Sequence, residues 1–473
     1  MDEIRIIVTS DRATGPVTES KEDVERWARD YFARTGIDVV TFDLVGGDMC
    51  AYRSKVVETY PFGPTKKLAD EGVDLPAILA EACHRNGLQY WPAHRVNTQR
   101  ASTRFKEENP DCVLTATTFA RPGLLDYGSP KVRRLMLRLY RELVEDYEAD
   151  GLLLNFTRYW PLFHQDRWLE CTPLLTEYMS EIRCMLDEVG RKKGRHIPLA
   201  AQVLARVPDC LHYSMDVKAW AQKGTVQYLL PSRPNNTDFN LPVEQFVEAA
   251  KGTNCRIFPV VHVSTRHPLG RAETRMTSDM FRAAAHLYYR AGAHGLATMN
   301  IGMRFSQAQQ LRDPDLVARG PHHYRYSLNP YDSGEGSLNF LIEVPQQPEE
   351  GVQLPSTRKQ LPFRLADDPA SRPGGVLRFT VANLHPEDVL EIDLNGVPMP
   401  KTMLNGSAQH PRWPYEKQPS SELFNYLYEF PLAGLPVIQG ENFLGFKIVS
   451  SAPGLGAGSR ANPVVQEVEV IIP

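Results

Sequence analysis

The chain has 473 residues, 42% hydrophobic and 23% charged, the proportions of a globular protein rather than a disordered one. Lysine and arginine number 53 against 57 aspartate and glutamate, a formal charge of −4 that supplies no general pull toward nucleic acid or an anionic membrane. No apolar run reaches the ~20 residues of a bilayer span, and the length suits two or three domains, or one barrel of ~250 residues with a smaller module.

The opening residues MDEIR lack the charged-then-apolar pattern of a secretory leader. The expectation is a cytoplasmic protein, or an exported one whose leader has been removed. The seven cysteines, Cys50, Cys83, Cys112, Cys171, Cys184, Cys210 and Cys255, form no CxxC pair. An odd count without such pairs reads as free, buried thiols rather than a disulfide framework or zinc knuckle.

Residues 4–9 (IRIIVT) read as a first strand, 21–34 as a helix, and 38–44 (DVVTFDL) as a second strand. Residues 75–86 place apolar side chains at helical spacing ahead of Gly87, a helix terminator, and 88–94 follow as a third strand. Pro130 opens a helix to about Tyr147, with Val132, Leu135, Leu139, Leu143 and Val144 on one face. Residues 151–156 (GLLLNF) are continuously apolar, as in a strand covered on both faces. The alternation continues through helix 173–190, strand 197–203, helix 215–222, strand 225–230, helix 242–251, strand 256–261, helix 278–291 and strand 295–299.

Eight strands alternating with helices predict an α/β chain whose residues 1–320 form a (β/α)₈ TIM barrel, the catalytic domain. An open doubly wound sheet is the other architecture, weakened by the lack of GxGxxG after the first strand and of any P-loop. Residues 321–334 read as a connection, with His322-His323 a loop pair. Residues 335–473 read as an antiparallel β-sandwich, with runs at 337–344, 376–382, 389–394, 424–431, 442–449 and 465–472. Asn395-Gly396 is the tight-turn signal within it.

A barrel puts its chemistry at the carboxyl ends of its strands. Those places hold Ser10, Asp11, Asp43, Asp48, His94, Arg95, Asn97, Asn155, Arg158, Tyr159 and Trp160. Later ends add Gln202, Gln227, Ser232, Arg233, His262, Arg266 and Asn300. Amide and guanidinium groups pair with hydroxyls or carboxylates, and aromatic faces cover the C–H face of a sugar ring. Plainer roles compete at several of them. Tyr90, Trp91 and Trp160 suit packing, His262 suits a satisfied core histidine, and Asp43 and Asp48 flank Gly46-Gly47 as turn caps do.

Three segments carry a family likeness: residues 38–55 (DVVTFDLVGGDMCAYRSK), 87–97 (GLQYWPAHRVN) and 150–163 (DGLLLNFTRYWPLF). Together they resemble the family-10-like glycosyl hydrolases of environmental bacteria, across most of the first 320 residues. The resemblance implies a (β/α)₈ glycoside hydrolase with a trailing β-domain. DVLEIDLNGVPM, further on, is similar to galactose-binding-like β-sandwiches.

The strand-four motif of such proteins reads Asp-Gly-φ-Glu-φ-Asp-Phe-x-Arg, with φ apolar. Asp150, Gly151, Phe156 and Arg158 match it, whereas Leu153 and Asn155 fill the two acidic places. Glycosidases ordinarily use two carboxylates, and an amide can serve as neither. Three explanations stand: an engineered Asp→Asn change at 155, catalysis by Asp43, Asp48 or Glu58 with Asn155 orienting a hydroxyl or acetamido group, or loss of catalysis.

The expected function is a glycoside hydrolase cleaving a poly- or oligosaccharide. Position 155 with Asp43, Asp48 and Glu58 forms the catalytic set. His94, Arg95, Asn97, Arg158, Tyr159, Trp160, Gln227, His262 and Asn300 form the substrate-binding set. The arginines hint at an acidic or sulfated glycan. The rival is a catalytically silent carbohydrate-binding protein. No cofactor or metal is expected, because IRIIVTSD lacks the histidine pair of metal-dependent barrel hydrolases. A carbohydrate is the expected partner, with no nucleic acid and no membrane.

Overall fold

A computed structural model of the chain describes residues 3–10, 20–32, 36–61, 63–98, 102–114, 123–158, 161–164, 167–233, 236–266, 273–299, 310–327, 352–353, 358–399, 424–450 and 463–473. Two units emerge. The first comprises Met1–Pro234, Leu241–Val263 and Ala291–Arg312; the second comprises Asn235–Asn240, Ser264–Arg290 and Asp313–Pro473.

The apolar runs of the first unit form the strands β1 (Ile6–Ser10), β2 (Val39–Gly46), β3 (Gln89–Arg95), β4 (Leu152–Asn155), β5 (Leu199–Leu204), β6 (Tyr228–Ser232), β7 (Arg256–Ile257), β8 (Val260–His262) and β9 (Leu296–Met299). They make one curled parallel sheet in the order β8-β9-β1-β2-β3-β4-β5-β6-β7. The two ends of that path are neighbours in the chain, since only Phe258 and Pro259 part β7 from β8. Helices Lys21–Phe32, Leu75–Arg85, Pro130–Glu145, Thr172–Lys193, Val217–Gln222 and Val243–Ala249 fall between consecutive strands. That is the spacing a parallel sheet requires of its crossovers.

Ile7, Val39, Trp91, Ala93, Leu153, Ala200, Leu230, Phe258, Val260, Ala297 and Met299 form one buried apolar cluster, drawn from strands all along the sheet. Successive strand side chains alternate between faces, so these residues define the inner face. The Asp-Gly of the strand-four motif belongs to the amino end of β4. A Cβ on Gly151 would lie 2.6 Å from Trp91 Nε1. Asp150 Oδ2 accepts from the Tyr90 amide at 2.9 Å, and its carboxylate also meets His84 and Arg195.

The second unit carries helix Ser278–Arg290 and strands β10 (His322–Ser327), β11 (Lys359–Leu365), β12 (Val376–Leu384), β13 (Val389–Leu394), β14 (Phe424–Pro431), β15 (Gly440–Ser450) and β16 (Val464–Ile472). One antiparallel sheet runs β10-β16-β12-β14 and a second runs β11-β15-β13, each with a two-residue strand added. Asn395 (φ 52°) and Gly396 (φ 83°) turn β13 back on Val397, the expected tight turn. The expected run at 337–344 lies outside the described residues.

Residues 322–327, read from sequence as connection, instead form β10, paired with β16 from His322 to Ser327. Their polarity masked the alternation: His322, Tyr324 and Tyr326 are buried, and the two tyrosine rings stack with 2° between planes. Helix Ser278–Arg290, assigned from sequence to the barrel, groups with the second unit. All seven cysteines are free, with Cys184 the exposed one. Among the described residues no helix is long and apolar enough to cross a membrane.

Candidate active site

On six strands the inner face passes from an apolar core position to a polar side chain toward the carboxyl end. Val39 leads through Thr41 to Asp43, Ala93 to Arg95, Leu153 to Asn155, Ala200 to Gln202, Leu230 to Ser232, and Val260 to His262. All of these are buried. A polar layer therefore caps the apolar core at the carboxyl end of the sheet, contributed by β2 through β6 and β8.

Asp43 accepts from Arg95 Nε at 2.7 Å. A carboxylate paired with a guanidinium is an acceptor, suited to a base or nucleophile rather than a proton donor. Asp48 has a different setting, because Lys106 Nζ lies 2.9 Å from Oδ1 and Thr103 donates to Oδ2. Thr103 also caps the helix Arg104–Glu108 through the Lys106 amide. Glu58 is exposed and accepts from the Arg104 amide at 2.7 Å, a backbone-fixing role.

Asn155 Oδ1 accepts from the Thr157 amide at 2.9 Å and from the Thr157 hydroxyl at 2.8 Å. Gln202, the register partner of Asn155, donates from Nε2 to Thr157 Oγ1 at 3.3 Å. Ser232 Oγ donates to the Arg233 carbonyl at 2.9 Å and lies 3.0 Å from His262 Nε2. Burial, with the nearby Arg158 charge, pushes His262 down to about 4, against the pull of the Arg233 carbonyl. The ring is accordingly a neutral hydrogen-bonding group at physiological pH.

Strand alternation also says which expected residues face elsewhere. His94 follows Ala93, so it points to the outer face. There Nδ1 meets the Tyr140 hydroxyl at 2.8 Å and Nε2 meets the Gly47 carbonyl at 3.0 Å, and burial pushes its pKa down to about 3. Both nitrogens are used within the protein. Asn97 bonds both backbone groups of Leu125 at 3.0 Å, fixing the segment that precedes helix Pro130–Glu145.

Gln227 precedes β6, at the amino end of the sheet and opposite the polar layer. It binds Arg183 at 2.8 Å and the Leu199 amide at 2.9 Å. The expected strand, 225–230, already held Gln227 in its first half, and the observed β6 starts later still, at Tyr228. Arg158 stands on the segment after β4, half-buried. Tyr159, Trp160 and Asn300 lie outside the described residues, as does Asp11. Thr157 was absent from the expected set, and Gln202 was noted only as a strand end; extending the inner-face alternation by one step picks out Gln202.

In the second unit, His286, His322 and Asp367 are the one group among the described residues with metal-ligand spacing. Its cation is already present. Arg372 Nη1 donates to Asp367 Oδ1 at 2.9 Å and lies 3.2 Å from His322 Nδ1, while Tyr324 donates to Oδ2 at 2.5 Å. A guanidinium in contact with the ligand atoms does not fit a metal centre, and the cluster is a buried charge knot.

No protein-family model matches the chain, and no curated protein matches it. Solved structures align with the chain at low similarity. One is an α-L-fucosidase isoenzyme 2 from Paenibacillus thiaminolyticus, with a TM-score of 0.42 and 12% identity over 68% of this chain. The chain spans about half of that protein, 51% of its length. Another is the Bacillus megaterium spore cortex-lytic enzyme SleL, at TM-score 0.42 and 9% identity, covering 66% of this chain and 73% of that one. A third is an N-acetylglucosaminidase of glycoside hydrolase family 18 from Paenibacillus barengoltzii, at TM-score 0.33 and 13% identity, covering 55% of this chain and 69% of that one.

Proposed function

We propose that the first unit is a family-10-like glycoside hydrolase, cleaving a poly- or oligosaccharide over the polar layer at the carboxyl end of its sheet. That layer is the observation that carries the reading. Barrel enzymes concentrate chemistry at this end, and amides, a hydroxyl, an imidazole and a carboxylate meet there on an apolar floor. We read the sheet as a closed (β/α)₈ barrel, because β7 bonds β6, β8 bonds β9, and two residues join β7 to β8. The second unit is read as a β-sandwich, supported by Phe379 of β12 and Phe446 of β15, whose ring centroids lie 5.3 Å apart.

Asp43 is the one carboxylate on the inner face of the described strand ends, so it takes the role of base or nucleophile. Arg95 holds it in place, and Asn155, Gln202 and His262 bind hydroxyl groups. Asp48 and Glu58 hold structure. An acidic or sulfated glycan is the form of substrate that Arg158 would favour.

The test is reducing-end release from a panel of neutral, uronic and sulfated polysaccharides. The unaltered chain should cut at least one of them. Asp43→Asn should lower the rate roughly 100-fold or more at temperatures where the variant is folded, with saccharide binding retained; its melting temperature falls because buried Arg95 loses its charged partner. Activity that survives the substitution would remove Asp43 from the mechanism.

A second reading, a silent saccharide-binding barrel, is favoured by one observation: the strand-four acidic position holds an amide whose oxygen is already bonded twice. Saturable binding without release of reducing ends on any glycan would establish it.

A further inference from the structure

The three side chains Asn155, Thr157 and Gln202 fix one another's orientation by elimination. The Thr157 backbone amide can only donate, so the Asn155 atom it meets at 2.9 Å is the carbonyl oxygen. The Thr157 hydroxyl spends its single proton on that same oxygen at 2.8 Å. It can then only accept, so the Gln202 atom 3.3 Å away is the amide nitrogen. Neither amide can flip without breaking this relay.

What remains points to a ligand. Asn155 keeps its Nδ2 donor and Gln202 keeps its Oε1 acceptor. The two residues are register partners on adjacent parallel strands, with side chains on the same inner face. Gln202 is 0% exposed, and its Oε1 has no hydrogen-bond partner among the described residues. A buried acceptor left without a donor is destabilising, and such atoms persist where a ligand or an ordered water supplies the proton.

We infer that Thr157 is a positioning residue, locking Asn155 as donor beside Gln202 as acceptor, so that the pair recognises a ligand group that accepts one hydrogen bond and donates the next. Two neighbouring sugar hydroxyls have this chemistry, and so does the secondary amide of an N-acetylated sugar. The inference rests on the saccharide reading above and adds the residues that set its specificity. It also gives the amide at position 155 a purpose, since a carboxylate there would offer a second acceptor beside Gln202 and no donor.

The experiment is calorimetric titration of the full chain with cellohexaose and with chitohexaose, comparing the unaltered protein with Thr157→Val, Thr157→Ser and Gln202→Met. One or both probes should bind. Thr157→Val should weaken that binding roughly tenfold, and Thr157→Ser should restore it, the size of one net hydrogen bond. Gln202→Met should weaken binding by a similar factor and change the melting temperature little, because the unpaired acceptor that it removes offsets the lost 3.3 Å bond to Thr157. A probe that binds Thr157→Val or Gln202→Met as tightly as the unaltered chain overturns the inference and leaves the saccharide reading standing. Failure of both probes to bind the unaltered chain defeats that reading, and the inference falls with it.

Discussion

Asp43 and Asp48 sit on either side of Gly46-Gly47, and the sequence offers no ground for giving them different work. In the folded chain they meet different cations. Asp43 faces Arg95 on the inner face of the sheet, whereas Asp48 is enclosed by Lys106 and Thr103 at the start of a short helix. Both Asp48 and Lys106 are under a tenth exposed, so their pairing is not screened as a surface pair would be. Replacing Lys106 by Met would leave a buried carboxylate with a hydroxyl for company. The expected loss is about 3 kcal/mol in urea unfolding, the cost of stranding one partner of a buried pair. A loss below about 1 kcal/mol would mean that Asp48 finds another partner or becomes protonated. His94 makes the same point about position. The residue type suggested a ligand, but its place after an inward-facing alanine turned it toward helix Pro130–Glu145.

At the scale of elements, continuous apolar runs were readable because both faces of the parallel strands are covered. Residues 151–156 gave β4, and the helix opened by Pro130 begins at Pro130 with Ser129 capping it through the Lys131 amide. Gly151 belongs to this scale, since it decides how closely β4 approaches Trp91 of β3. Alanine there would bring Cβ to 2.6 Å from a fully buried ring, and the ring or the strand must move. A destabilisation of about 2 kcal/mol is expected, measurable as a lowered thermal midpoint, with the polar layer at the far end of the strand unaffected. An unchanged midpoint would show that Trp91 can shift freely. Two elements were misread for physical reasons. β10 alternates histidine and tyrosine with polar residues and so lacks an apolar signature, and β6 begins at Tyr228, three residues later than the expected strand 225–230.

On the scale of the whole molecule, buried histidines make stability depend on pH in the weakly acid range. Burial pushes His94 down to about 3, and His262 and His286 down to about 4, against 6.5 when unfolded. The unfolded chain therefore binds protons that the folded chain refuses. Stability from these groups is complete above the unfolded value, falls as pH drops through it, and levels off only near the folded values. Each histidine contributes a slope of up to about 1.4 kcal/mol per pH unit in that window. Thermal midpoints should decline steadily between about pH 7 and pH 5, more steeply than for a His94→Gln, His262→Gln double variant. Equal slopes would mean that these rings already carry protons in the fold.

Local patterning determined much of this protein by itself: the alternation of strands and helices, the turn at Asn395-Gly396, the change of texture to β-runs in the C-terminal part, and the carboxyl-end location of the polar residues. Each depends on neighbours a few residues apart, where backbone geometry and hydrophobic period act directly. Pairing across the sheet was decided only by the tertiary structure. Which carboxylate meets Arg95, which histidine turns outward, and how Thr157 orients two amides depend on strand register, and register is set by side chains far apart in sequence packing on one face.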